Sequence, residues 1–72
     1  MKEQLSENEI KEKVEEAVEE VYNSRFTNAG IYNLARETLY KRLRQEGNRE
    51  AIHKNFHLIT KHMFEYIDFL KI

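Results

Sequence analysis

The sequence predicts an all-α fold, a small three-helix bundle, on three observations. The 72 residues hold no proline and only two glycines, Gly30 and Gly47, so the punctuation that strands and hairpins need is missing. Apolar residues recur at intervals of three and four instead of alternating. Hydrophobic residues make up 40% of the chain, enough for one core, and a chain this short cannot bury two. A single helical domain over residues 1–72 is therefore expected.

The first helix is expected over about residues 7–23. Ser6 and Glu9 form a Ser-x-x-Glu capping box, in which each side chain satisfies the other's free backbone amide. Leu5 before the cap and Ile10 after it make a hydrophobic staple. Ile10, Val14, Ala17, Val18, Val21 and Tyr22 then form one stripe, which runs out at Asn23-Ser24.

The middle segment, about residues 28–46, has Thr27 as its N-cap and Gly47 as a left-handed stop. Tyr32, Ala35, Leu39 and Leu43 share a face, but Leu34 lies well outside that arc. Two readings follow. Either one continuous helix exposes Leu34, or the segment breaks near Asn33 into two helices that both point inward.

The last helix is expected over about residues 49–70, with Asn48 as its cap. Ile52, Phe56, Ile59, Met63, Tyr66 and Leu70 follow the spacing of a coiled-coil seam, and Ile67 widens it. Leu58, His62 and Phe69 fall on roughly the opposite side. A helix apolar on two faces in so small a bundle predicts a partner or a homodimer docked through Leu58, His62 and Phe69.

Composition narrows the function. Without cysteine there is no disulfide, thiolate metal site or cysteine nucleophile. No apolar run approaches the ~18 residues of a membrane span. Met1-Lys2-Glu3-Gln4 opens without the apolar stretch of a secretory leader, so a cytoplasmic location is expected. No glycine-rich phosphate loop is present, and Ser6 and Ser24 are accounted for at helix ends. His53 and His57 stand one helical turn apart but lack further ligands. Neither an enzyme nor a cofactor or metal is expected.

The formal charge of −1 conceals a division. Residues 1–23 carry eight acids and three bases, whereas residues 24–50 carry six bases and three acids. An acidic first helix thus precedes a basic middle. Such a division serves attraction between helices of one bundle, or leaves the basic segment facing an anionic partner. Arg36, Tyr40 and Arg44 line up at i, i+4 and i+8, with Lys41 beside them, opposite the apolar face. Arginine forks and a tyrosine hydroxyl suit phosphate and guanine edges.

The run Ala35-Arg36-Glu37-Thr38-Leu39-Tyr40-Lys41-Arg42-Leu43-Arg44 resembles the recognition segment of helix-turn-helix DNA-binding proteins, including the tetracycline-repressor family. In that frame Ala29 takes the small position of the first helix, Asn33 the turn, and Leu34 the apolar position after it. Asn28 and Asn33 depart from the apolar residue and the glycine usual there. The resemblance implies major-groove reading by the second helix, with Arg36, Glu37, Tyr40, Lys41 and Arg44 as contacts. The expectation is a small non-enzymatic DNA-binding regulator. A protein-interaction or oligomerisation module, docking through Leu58, His62 and Phe69 or the acidic first helix, is the alternative.

Overall fold

The computed structural model describes residues 5–72. Residues 1–4, on which the expectation about a leader rests, lie outside the described residues. The first helix, α1, spans Glu7–Val21. Its capping box is formed as the sequence requires. The Ser6 amide donates to Glu9 Oε1 at 2.8 Å, and the Glu9 amide donates to Ser6 Oγ at 3.1 Å. Tyr22 already has extended backbone angles, so the helix stops two residues short of the expected end.

The second helix, α2, spans Asn28–Gln45 without interruption. Thr27 caps it, accepting from the Gly30 amide at 3.0 Å. Asn33 lies within the helix, so the turn that the repressor-like frame placed there is not formed. Leu34 stays 42% exposed, as the one-helix reading requires. A lone surface leucine costs little, whereas a break would forfeit backbone hydrogen bonds on both sides. The chain turns away from the helix at Gly47, whose φ of +81° is the left-handed conformation that a side chain would strain. The Asn48 amide donates to Leu43 O at 2.7 Å and the Gly47 amide to Arg44 O at 3.2 Å, which is the Schellman pattern.

The break falls instead in the last segment. A short helix α3, Arg49–Lys54, is followed at Asn55 by α4, Phe56–Lys71. The expected three helices are therefore four. Asn55 leaves helical geometry at φ −119°, ψ 24°, and its side-chain amide donates to Ala51 O at 3.1 Å, a carbonyl that also accepts from the Asn55 backbone at 3.0 Å. That doubled hydrogen bond bends the chain. The expected cap at Asn48 makes no side-chain hydrogen bond. Ala51 and Ile52 turn into the core, and Phe56, expected in the seam, turns out.

α1, α2 and α4 form an up-down-up bundle, with α3 at the corner between α2 and α4. The core is made by Ile10, Val14, Ala17 and Val18 of α1, Ile31, Ala35, Leu39 and Leu43 of α2, Ala51 and Ile52 of α3, and Ile59, Met63 and Ile67 of α4. On α2 and α4 these residues run in steps of four, as ridges along straight helices do, and Ile67 is central to its face where the seam reading put it at the edge. No polar or charged residue is buried among the described residues.

The second apolar side of α4 is largely covered from within the chain. Leu58 packs against the core, and His62 faces α1, with Nε2 3.4 Å from Glu7 Oε2. α1 takes one flank of α4 and α2 the other. Only Phe69, 65% exposed, remains outside. Among the described residues no helix is long and apolar enough to cross a membrane.

Candidate nucleic-acid interface

The register of α2 fixes what it presents to solvent. With Ile31, Ala35, Leu39 and Leu43 inward, Arg36, Glu37, Tyr40, Lys41 and Arg44 line one surface hollow of about 430 Å³. The five residues that the sequence singled out are therefore neighbours in space.

Two cations of the central bundle are instead held by glutamates. Lys13 Nζ lies 3.1 Å from Glu46 Oε1, and Arg42 is bound to the Glu20 carboxylate. These pairs join α1 to α2 and account for part of the division of charge along the chain. Arg36, Lys41 and Arg44 have no carboxylate partner among the described residues. The acids of α1 meet α2 on the flank that carries Arg42, and helical geometry sets that flank about 120° from Arg36. Glu37 is the one acid lining the hollow.

Arg36 is nevertheless braced. Its Cζ sits 5.4 Å from the centre of the Tyr32 ring, and Tyr32 in turn stacks on Phe64 of α4 with centroids 4.6 Å apart and planes 10° from parallel. A guanidinium held over a ring has less freedom to lose when it meets an anion.

Tyr40 departs from the role expected of it. Its Oη is buried and without a hydrogen-bond partner, so the hydroxyl is not presented to a phosphate. Burial pushes its pKa up, the neighbouring Tyr32 adds to this, and Arg36 pulls the other way. Tyr40 contributes a wall to the hollow rather than a hydrogen bond.

The docking residues read from the sequence, Leu58, His62 and Phe69, do not make one free face. Leu58 and His62 are turned towards their own chain, and Phe69 stacks on Tyr66 with ring centres 5.8 Å apart. Tyr66 and Phe69 line a groove of about 300 Å³ between α1 and α4, with Lys11, Glu15, His62 and Glu65. The Tyr66 hydroxyl hydrogen-bonds Glu19 of α1, which raises its pKa to about 12.

Sequence reasoning did not find the contacts between α2 and α4. Asn28 Nδ2 donates to Asp68 Oδ1 at 3.1 Å, and Tyr32 meets Phe64 one turn further along. The signal available was the repetition of Phe56, Thr60 and Phe64 at four-residue steps, which the seam reading passed over. No protein-family profile, curated protein or solved structure matches this chain.

Proposed function

We propose that this chain is a small DNA-binding regulator that grips phosphates through the outer row of α2. One observation carries the reading: Arg36, Lys41 and Arg44 share a hollow and lack carboxylate partners, while Lys13 and Arg42 are held by glutamates. Unpaired cations gathered on one face can neutralise phosphates and so release the counterions condensed on a polyanion. Because α2 is a single helix, it would lie along a major groove as one rod, not as the second member of a two-helix unit. The charge balance points the same way locally, since three bases face one acid in the hollow.

Fluorescence anisotropy with a labelled duplex at low salt tests this. With three phosphates neutralised, log K is expected to fall with log salt at a slope of roughly −2.7. Arg36→Ala with Arg44→Ala is expected to reduce that slope by roughly two units and the low-salt affinity at least about tenfold. Arg42→Ala, which removes a guanidinium already bound by Glu20, is expected to leave affinity within about twofold. Absence of binding at low salt overturns the proposal.

The exposed ring of Phe69 beside the α1–α4 groove favours a second reading, self-association through that groove. Lys11 lies in it with Glu15 and Glu65, so two copies related by a twofold axis could pair opposite charges around exchanged rings. Sedimentation equilibrium is expected to show a concentration-dependent dimer that Phe69→Glu abolishes. A wild-type monomer at every concentration sinks this reading.

A further inference from the structure

We infer that the edge where α2 meets α4 binds unpaired nucleotides, so that the preferred ligand of the basic row is single-stranded nucleic acid rather than duplex. The inference rests on the phosphate-gripping row proposed above and replaces its duplex groove with an unpaired strand. Two contacts set the register of this edge. Asn28 is bonded to Asp68, and Tyr32 is stacked on Phe64. The helices are antiparallel here, and each step of four along one matches a step of four back along the other. Continued by one level, the register sets Arg36 across from Thr60. Continued by two, it sets Tyr40 across from Phe56.

Phe64, Tyr32 and Arg36 thus adjoin the hollow lined by Tyr40, Lys41 and Arg44, and the same register extends this edge to Phe56. It is not a closed core seam, since Phe64 is 39% exposed and Phe56 45% exposed. Such partial exposure of aromatic rings beside unpaired cations has a specific use. Bases splayed out from a strand stack on aromatic rings and on the plane of a guanidinium, while cations track the phosphates. The Phe64 ring, stacked on Tyr32, and the Arg36 guanidinium over the Tyr32 ring supply both kinds of platform side by side.

Spacing separates the two nucleic-acid forms. Successive levels on a helix edge lie about 6 Å apart, whereas bases in a duplex strand rise about 3.4 Å. Bases meeting successive levels must therefore be unstacked from one another. In a duplex, moreover, the faces of the bases are already covered by their neighbours. A duplex would use only the cations of this edge and leave its rings idle.

The test compares three labelled ligands of equal length on the full chain at low salt: oligothymidylate, the matching duplex, and an abasic strand carrying the same phosphates. Oligothymidylate is expected to bind most tightly, with the abasic strand at least about fivefold weaker. Phe64→Leu and Phe56→Leu keep apolar bulk and remove the ring. Each is expected to weaken oligothymidylate binding at least about fivefold while leaving duplex and abasic binding within about twofold. Arg44→Ala is expected to weaken all three. Circular dichroism of each variant separates loss of a platform from loss of fold. Equal affinity for oligothymidylate and the abasic strand, or leucine variants that bind oligothymidylate as the wild type does, overturns the single-strand inference while leaving the basic-row proposal standing. Failure of all three ligands to bind overturns both.

Discussion

Asn33→Pro is expected to remove most of the stability of this domain. Asn33 is exposed and its side chain carries no part of the core, so the whole effect is a backbone effect. In an uninterrupted helix its N–H donates to the carbonyl of residue 29; proline lacks that donor, and its ring collides with the same carbonyl. The cost of proline in a helix interior is about 3 kcal/mol or more. The chain cannot escape by starting α2 later, because Ile31 on one side of position 33 and Ala35 on the other are both fully buried. A small domain commands only about 5 kcal/mol or somewhat more in total. A urea melt followed by circular dichroism is expected to show the midpoint displaced by more than half of its wild-type value. A turn at Asn33 would accept proline with little change, so a wild-type midpoint would restore the two-helix frame and remove the continuous rod on which the phosphate-gripping row depends.

The helix boundaries that could be read from the residues were those written in caps. Ser6 with Glu9, Thr27, and Gly47 with its left-handed backbone each mark an end through a local hydrogen bond that depends on two or three neighbouring residues. The bend at Asn55 was not legible because apolar spacing runs through it, and the bond that makes it is from the asparagine side chain to Ala51 O. The surroundings of Leu58 and His62 were not legible for a different reason. A helical wheel shows that a helix has two apolar flanks but not how many neighbours it has, and here α1 and α2 both lie against α4.

The candidate site divides in the same way. That Arg36, Lys41 and Arg44 point away from the core follows from periodicity alone. Which cations remain unpaired does not, because Arg42 is two positions from Arg44 in sequence and only the packing of α1 gives it Glu20. The burial of the Tyr40 hydroxyl and the Tyr32–Phe64 stack are products of the antiparallel fit of α2 on α4, which a single-helix pattern does not contain. The repressor-like run was informative about which face is basic and uninformative about chain path. Thr-Leu-Tyr followed by bases is compatible with any amphipathic helix that has a cationic outer side.

The inward register of α2 is itself open to a direct test through Leu39, 2% exposed among the apolar residues of the core. Leu39→Ala is expected to cost about 2–5 kcal/mol, the transfer energy of the lost methyl groups together with the cavity they leave. For a domain of this size that corresponds to a fall in Tm of roughly 10–30 °C. Leu39→Met conserves volume and is expected to cost less than about 1.5 kcal/mol. The urea m-value of the alanine variant should match that of the wild type, since the unfolded surface is nearly unchanged. Leu39 stands on the same helix as the basic row but on its opposite side, which makes the variant a control for function as well. Below its melting transition, Leu39→Ala should retain the wild-type salt slope for nucleic acid, with affinity reduced only by the unfolded fraction. An alanine variant as stable as the wild type would place Leu39 at the surface. A rotation of α2 large enough to do that would carry Arg36 and Arg44 towards the interior, and neither a duplex nor a single strand could then reach them.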